Sequence, residues 1–400
     1  MNPMNSTTPK YRILHLAYTF IEDDYRVMRY LNSLREQGHE VELICLRRKD
    51  FPEKEWQNGV NIYRIQKRVV NESGKINYLL RMLKFFLKAT IITSYLQFKK
   101  RYNIIHIHNV PDFLVFCAWL PKLLGTKIIL DIHDIMPELY ASKFRSNQNS
   151  IMFKILLLVE RASIKFADHV IVGNDIWKER LISRAVSPYK CTAIINYPDI
   201  TIFRPQINVS QQDGKFIILY PGSLNAHQGL DVAIRAFNLI KGRIPGAIFY
   251  IYGDGPALPS LKAMVKELNL EKQVIFKDPL PLTEIADIMQ GANVGVIPKL
   301  AEGFGDEAFS TKSMEFMACG IPIIMSKTRI DSYYFRDKEV RFFPSGDHLA
   351  LADAICEVYS RPDEARKRVE AALSLVSREN WQSRKHLYLN IIDNLLSKRL

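Results

Sequence analysis

The chain of 400 residues lacks the features that mark secreted, metal-binding and membrane-spanning proteins. Its five cysteines are scattered, without a Cys-x-x-Cys pair or a spacing typical of metal ligands, which favours a reducing compartment. No apolar run is long enough to cross a bilayer. The first residues, MNPMNSTTPK, lack the apolar segment of a secretory signal. We therefore expect a cytoplasmic protein.

Several motifs of cofactor and metal chemistry are also missing. There is no Gly-x-x-x-x-Gly-Lys-Ser/Thr phosphate loop, no His-Glu-x-x-His motif and no Gly-x-Ser-x-Gly turn. The turn after the first predicted strand, TFIEDDYRV, contains no glycine, which argues against an NAD-binding fold. No Asp-x-Asp pair is present to hold a divalent ion on a diphosphate. We predict no cofactor and no metal site.

The net charge of +13 is concentrated in the first half of the chain. Residues 1–200 hold 30 Lys and Arg against 19 Asp and Glu, whereas residues 201–400 hold 25 against 23. The first half therefore favours an anionic partner. Nucleic acid, phospholipid and a phosphorylated substrate would each satisfy this charge.

Strand and helix patterns alternate along both halves, as in parallel sheets covered by helices. The chain opens with YRILHLAY (11–18), a helix capped by Asp23 or Asp24, and HEVELICL (39–46). Further strands are predicted at 103–108, 127–133, 169–173, 191–195, 215–222, 247–253, 273–277, 293–298 and 340–344, with helices at 151–166, 230–241, 257–268, 283–290 and 380–398.

This alternation predicts an α/β fold of two Rossmann-like, doubly wound parallel-sheet domains that face a central cleft. We assign the first domain to residues 1–205 and the second to 206–379. The polar segment 196–213, with two prolines, is the predicted linker. We expect the last helix, within 380–400, to pack back on the first domain.

The segment 79–102 is apolar on much of its surface and carries a basic stripe of Arg81, Lys84 and Lys88. A basic amphipathic helix can lie in a membrane interface that faces anionic lipid. A helix that flanks a sheet and exposes a solvated basic edge explains the same pattern. Both interpretations stay open.

The stretch 303–326 combines two carboxylates with a predicted helix start. We place Glu307 in a glycine-broken loop and Glu315 inside the helix, with Ser310 and Thr311 at the N-cap and Lys312 in the first turn. Free amides and a cation at a helix start bind phosphate, and carboxylates accept hydrogen bonds from hydroxyls. Together they indicate a nucleotide sugar. The alternative is an ordinary strand–loop–helix unit with a capping serine.

Three other places are candidates for ligand contact. The loop Gly253, Asp254, Gly255 follows a strand, so it either approaches a ligand or forms a tight turn. Residues 222–229, GSLNAHQG, form a similar loop. His133 ends a strand and could act on a hydroxyl, whereas a solvated or capping histidine is the simpler alternative. His106 and His108 alternate on one strand and are predicted to be structural.

These residues resemble the retaining glycosyltransferases of family 4, which have the GT-B fold. The spacing of Glu307 and Glu315, followed by EFMACGIPII, is similar to the family's Glu-x7-Glu signature. The resemblance implies that Glu307 contacts the donor sugar near the reacting centre and that Glu315 binds the ribose. It also implies that Lys312 and the amides beside it hold the diphosphate, and that His133 contacts the sugar. Residues 253–256 and 276–280 also look like family landmarks, the second for the base.

Two positions depart from the family pattern, in which an Arg and a Lys contact the diphosphate. Ser223 after Gly222 and Gln228 before the next glycine stand in their places. Either Lys312, Asn225 and the amides carry more of the charge, or phosphate binding is weaker.

The resemblance implies a metal-independent, retaining transfer from a UDP- or GDP-sugar to a glycan or lipid-linked acceptor. The reaction would serve bacterial cell-surface polysaccharide assembly, with peripheral contact at the inner membrane face and no nucleic-acid partner. A non-catalytic protein that binds anionic surfaces or nucleic acid is the alternative, and a GT-B epimerase or hydrolase is another.

Overall fold

The computed structural model describes residues 11–68, 75–144, 146–206 and 214–397. The first ten residues and the polar run at 207–213 of the predicted linker lie outside these residues. The chain divides into two compact units: one holds the chain up to Ile195 together with the segment from Lys385 onward, and the other is Asn196–Arg384. The domain boundaries predicted from the sequence lie after residues 205 and 379, whereas the two units meet after Ile195 and Arg384.

The first unit is built on an eight-stranded sheet, ordered β3-β4-β2-β1-β5-β6-β7-β8. Only the β3–β4 pair is antiparallel among the strand pairs of the described residues. The strands are β1 Arg12–Ala17, β2 Glu40–Arg47, β3 Lys54–Gln57, β4 Val60–Lys67, β5 Ile104–His108, β6 Lys127–Ile132, β7 His169–Val172 and β8 Cys191–Ala193.

The β3–β4 hairpin is an addition to the predicted strands. Its turn residues, Asn58 and Gly59, both have positive φ, of 48° and 80°. An Asn-Gly pair favours this type of tight turn, so the sequence did carry a signal for the hairpin. β4 alternates buried and half-buried residues because one of its faces packs on the core.

Within the described residues, six α-helices connect the strands of the first unit. Asp24 caps the first of them, because its carboxylate accepts the Val27 amide at 3.1 Å. Between β5 and β6, a 3₁₀ helix, Asp112–Ala118, precedes the third α-helix. The helices are α1 Tyr25–Glu36, α2 Lys75–Lys100, α3 Trp119–Leu123, α4 Met136–Phe144, α5 Ile151–Phe166 and α6 Asp175–Arg184.

The second unit is built on a six-stranded sheet, ordered β11-β10-β9-β12-β13-β14, in which every described pair is parallel. Strands buried on both faces read as continuous apolar runs, and β9, FIILYP, is buried throughout. The strands are β9 Phe216–Pro221, β10 Ala247–Tyr252, β11 Val274–Lys277, β12 Val294–Ile297, β13 Ile323–Ser326 and β14 Arg341–Phe343.

Helices pack on the second sheet, and one apolar core joins β9, β10 and β12 to α7 and α13. The helices are α7 Leu230–Ile240, α8 Leu258–Glu267, α9 Leu282–Gln290, α10 Phe304–Glu307, α11 Thr311–Cys319, α12 Arg329–Tyr334, α13 His348–Ser360 and α14 Pro362–Val376. The helix α15, Trp381–Ser397, follows α14 and crosses from the second unit into the first. The predicted α/β architecture of two parallel-sheet halves is confirmed.

The last helix, α15, supplies residues to both units. The Trp381 amide donates to the Pro198 carbonyl at 3.0 Å within the second unit. In the first unit, Lys385 pairs with Glu36 at 2.8 Å, and the Tyr388 hydroxyl lies 3.1 Å from Nδ1 of His106. The last helix therefore contacts both the helix α1 and a buried histidine of the first sheet.

Candidate functional site

A cavity of about 390 Å³ lies in the second unit, a size typical of small-molecule sites. It opens where β9 and β10 end, at the carboxyl edge at which parallel sheets bind ligands. α9 and the start of α11 complete its wall. The lining residues are Pro221, Gly222, Ser223, Tyr252, Gly253, Asp254, Pro279, Leu280, Leu282, Ile285, Met289, Thr311, Lys312 and Glu315.

Glycines allow the polar end of this cavity to form. Gly222 and Gly253 have φ of 140° and 149°, a region that side chains rarely adopt. A Cβ at Gly253 would overlap the Gly222 carbonyl, and a Cβ at Gly222 would overlap Cε of Lys312. A Cβ at Gly255 would also overlap the Leu224 backbone. These glycines therefore bring the two loops together and leave room for the lysine.

Lys312 is the cation of the cavity. Its ammonium lies 5.2 Å from the centre of the Tyr220 ring, over the ring face. The pKa of Lys312 is lowered to about 8, mainly by burial; the charge of Lys299 also lowers it, whereas Glu315 and Asp331 oppose the shift. The ammonium is thus held in a poorly hydrated position where an anionic ligand would stabilise it.

The start of α11 differs from the prediction in one respect. Ser310 occupies the N-cap position, but its side chain makes no capping hydrogen bond. Instead the Ser313 hydroxyl donates to the Ser310 carbonyl at 2.5 Å. The expected serine cap is therefore wrong as a contact, and first-turn amides are left to other acceptors. Thr311 and Lys312 line the cavity beside them.

The two glutamates of the Glu-x7-Glu pattern have different surroundings. Glu315 lines the cavity. Glu307 is the last residue of the one-turn helix α10, not a loop residue as predicted, and it is not among the lining residues. Its carboxylate is buried and accepts from Arg329 at 2.8 Å. The structure thus places Glu307 in an ion pair beside the site.

A second buried cation was missed by the sequence analysis. Lys299 follows β12 and pairs with Asp331 at 2.9 Å. It also donates to the Ala308 carbonyl at 2.7 Å, so it ties the segment after α10 to α12. The positive charge of Lys299 lies close enough to Lys312 and His227 to lower the pKa of both, after the effect of burial. No local pattern in the sequence marks it.

Four predicted donor-binding residues are not among the lining residues of the cavity: Asn225, Gln228, Gly255 and Ser310. Asn225 and Gln228 belong to the turn before α7, where the Gln228 amide donates to the Asn225 carbonyl at 3.0 Å. The Gln228 side chain contacts Nε2 of His227 at 3.2 Å. Gly229 adopts φ of 66° next to the Pro298 carbonyl, which explains the glycine at that place.

The remaining wall of the cavity is apolar. Pro279 and Leu280 belong to the segment that the sequence analysis assigned to the base. Leu282, Ile285 and Met289 of α9 extend it, and Tyr252 adds an aromatic ring. The cavity therefore has an apolar end and a polar end with a cation, an arrangement that suits a nucleotide.

His133 belongs to a separate, buried polar centre in the first unit. Its Nε2 lies 3.0 Å from Oδ2 of Asp131 and 3.1 Å from Nδ1 of His108. Arg26 donates to the other oxygen of Asp131 at 2.7 Å. Although burial alone would raise the pKa of Asp131, Arg26 and the histidines hold it well below its usual range. The carboxylate is thereby fixed as the acceptor that orients His133.

His106 and His108 are part of the same centre. Both are buried, and burial lowers the pKa of each ring. Their register with His15 and Asp131 on neighbouring strands brings the side chains onto one face of the sheet. The sequence pattern indicated the alternation but not this long-range clustering.

Two overlapping groups in this centre have atoms close enough to hold a metal ion. They are His15, His106 and His108, and then His108, Asp131 and His133, with ligand atoms within 4.8 Å of one another. Hydrogen bonds already pair His15 with His108, and pair both His108 and His133 with Asp131. The absence of a metal requirement stays a prediction.

The basic stripe on α2 differs from the expectation. Arg81 and Lys84 are exposed, but Lys88 is half-buried and donates to the Ile65 carbonyl at 3.1 Å. Lys88 therefore does not belong to the exposed part of the stripe. Among the described residues, no helix has both the length and the apolar character needed to cross a membrane.

Comparison with protein families identifies the class to which this fold and site belong. Residues 25–199 match the model of Glycosyltransferase Family 4, and residues 203–374 match that of Glycosyl transferases group 1. The chain belongs to the glycosyltransferases of this family 4 and group 1 type.

Individual relatives agree with this class. MJ1607 of Methanocaldococcus jannaschii, an uncharacterized glycosyltransferase, is 26% identical over 74% of this chain and 73% of its own. WcaL of Salmonella typhimurium, whose name assigns it to colanic acid biosynthesis as a glycosyltransferase, is 27% identical over 48% of this chain and 47% of its own.

Solved structures confirm the GT-B fold. Sucrose-phosphate synthase from Thermosynechococcus elongatus superposes with a TM-score of 0.78 at 20% identity, covering 97% of this chain and all of that one (100%). HepE from Anabaena, in complex with UDP and glucose, gives 0.71 at 15% identity, covering 96% of this chain and 100% of HepE.

Proposed function

We propose that the cavity of the second unit binds the nucleoside diphosphate of a UDP- or GDP-sugar. The observation that carries this proposal is the pairing of an apolar wall with a polar end that holds Lys312 and the start of α11. A diphosphate suits the cation and the helix amides. The complex of HepE with UDP and glucose supports this class of donor.

Within the cavity, each part of the donor has a fitting partner. The base would lie on the apolar wall near Pro279 and Leu280, and the ribose hydroxyls would donate to Glu315. The diphosphate would approach the backbone at Gly222 and Gly253, where the absence of side chains permits close contact. Lys312 would supply the charge that Ser223 and Gln228 do not.

We propose a retaining, metal-independent reaction. The acceptor oxygen bonds to the anomeric carbon on the face from which the diphosphate leaves, while the bond from that carbon to the phosphate oxygen breaks. The leaving phosphate oxygen takes the acceptor proton. Lys312 and the α11 amides stabilise the charge on the diphosphate. Glu307 positions the sugar and stabilises positive charge at the anomeric carbon, and His133 contacts a sugar hydroxyl.

The acceptor is proposed to be a lipid-linked glycan of bacterial polysaccharide assembly, at the inner face of the membrane. The name of WcaL supports this pathway class. The excess of basic residues in the first half of the chain supports an acceptor that carries phosphate. No nucleic acid is needed.

A thermal-shift screen against UDP, GDP, ADP and TDP, in buffer with EDTA, tests the donor site. A ligand that binds only the folded chain stabilises it by about 2.7 kcal/mol at 100 times its Kd. We expect one nucleotide to raise the Tm clearly, and Lys312→Met to reduce that rise. Lys327→Met, which removes an exposed lysine outside the cavity lining, is the matched control. A Tm that no nucleotide changes would contradict the proposal.

A further inference from the structure

The helix α2 exposes an apolar stripe along its length. Large apolar side chains recur at intervals of three or four residues, which places them on one face of a helix. Their exposed fractions run from 41% to 69%. The stripe consists of Leu79, Leu80, Leu83, Leu87, Ile91, Tyr95 and Phe98. So many large apolar residues in one row on a surface indicate a binding face.

Two neighbouring helices extend this surface. The connections β4–β5, β5–β6 and β6–β7 all run in one direction across the sheet, opposite to β1–β2, so right-handed crossovers place α2, α3 and α5 on the face opposite α1. All three pack around the 3₁₀ helix Asp112–Ala118. Further exposed apolar residues are Trp119, Leu123 and Leu124 at α3, and Ile151, Met152, Ile155 and Leu158 on α5.

Aromatic contacts hold the arrangement together beneath the surface. The rings of Phe86 on α2 and Phe113 on the 3₁₀ helix lie 5.7 Å apart. Phe116 of the same 3₁₀ helix contacts Phe166 at the end of α5, with 5.2 Å between ring centres. The inner faces of α2 and α5 are therefore used in packing, while their outer apolar residues are not needed for the core.

The exposed charged residues of these three helices are all basic. α2 and α3 contain no Asp or Glu. The only acid of α5, Glu160, is buried and accepts from Arg184 at 3.2 Å. Exposed cations accompany the apolar residues: Arg81, Lys84 and Lys99 on α2, and Lys154, Arg161 and Lys165 on α5.

We propose that this three-helix face, formed by the exposed residues of α2, α3 and α5, docks the first unit on an anionic phospholipid bilayer. Apolar side chains would enter the interface while the cations contact lipid headgroups. A second copy of the chain fits less well, because it would bring the same positive charges together. The proposal adds to the proposed lipid-linked acceptor, but its test involves no sugar transfer.

Vesicle co-sedimentation of the full chain, without nucleotide sugar, tests the docking face. The vesicles contain phosphatidylcholine alone or phosphatidylcholine mixed with phosphatidylglycerol. We expect the protein to bind the anionic vesicles at least about tenfold more tightly, and added salt to weaken the binding. A protein that ignores both vesicles, or binds both equally, would overturn the proposal.

A pair of double variants locates the contact. Leu87→Gln with Ile91→Gln should weaken binding to anionic vesicles by about tenfold or more. Leu239→Gln with Leu349→Gln removes exposed leucines of the second unit and should leave vesicle binding unchanged. Both variants should keep the wild-type Tm and nucleotide response, since the altered side chains are exposed. Equal vesicle binding by the two variants, or a concentration-dependent dimer that only the α2 variant loses, would overturn the proposal.

Discussion

Lys312 makes nucleotide affinity depend on pH in a range where an ordinary lysine would not. Its pKa is lowered to about 8, first by burial and then by Lys299. The protonated fraction of such a group falls from ~0.9 at pH 7 to ~0.1 at pH 9. If only the ammonium form binds the diphosphate well, the Kd rises by roughly tenfold over this interval.

The size of the effect has an upper bound. A hydrogen bond to a charged group contributes about 1.5–3 kcal/mol, which corresponds to roughly 10- to 150-fold in Kd. The terminal phosphate of the nucleotide has a pKa of ~6, so its charge is almost constant above pH 7. Lys312 therefore determines the direction of the pH dependence: nucleotide affinity is greatest below pH 8 and falls above it.

Isothermal titration of the best nucleotide from the screen, at pH 7, 8 and 9, measures this dependence. Lys312→Met should bind more weakly at pH 7 and show a much flatter profile, because the titrating group is gone. Ionisation of the base affects both proteins alike and cancels in the comparison. A wild-type Kd that is constant between pH 7 and 9, or the same slope in the variant, would refute the assigned role.

Three further predictions concern the chemistry and the loops. Glu307→Gln should lower turnover by about 100-fold or more, because it removes a carboxylate proposed to stabilise the reacting sugar. Its nucleotide affinity should stay within about threefold of the wild type. The control Glu302→Gln, which alters an exposed acid nearby, should change neither turnover nor affinity. Gly253→Ala should lower the free energy of unfolding, measured in urea, by roughly 2 kcal/mol or more, because the added Cβ meets the Gly222 carbonyl. Gly242→Ala, whose added Cβ would have no atom within 4 Å, should lower it by less than about 1 kcal/mol. EDTA dialysis should leave turnover unchanged, and a loss restored by added Mg²⁺ or Mn²⁺ would contradict the metal-free mechanism.

Elements with a strong local pattern could be predicted well from the sequence. The helix at 151–166 and the alternation that leads to two parallel sheets agree with the structure. Apolar runs of strand length and periodic apolar faces are local properties of the chain. The same is true of the strand–helix–strand order around Lys312, which the sequence placed in the first turn of a helix.

Features that depend on distant residues could not be predicted. The pairing of Lys299 with Asp331 and the approach of Gly222 to Gly253 join segments far apart in the chain. Likewise, the sequence around Lys88 does not show that this side chain donates to the Ile65 carbonyl and so is not part of the exposed basic stripe. Each of these contacts arises from tertiary packing, for which neither composition nor spacing carries a signal.

The anomeric configuration of the transferred sugar distinguishes a retaining from an inverting transfer. Proton NMR would follow the wild-type chain with the nucleotide sugar chosen by the screen and a membrane extract as acceptor, with Glu307→Gln in parallel. We expect that only the wild type releases the nucleoside diphosphate at a substantial rate, and that the product keeps the configuration of the donor. An inverted product, or a Glu307→Gln variant as active as the wild type, would contradict the proposed mechanism.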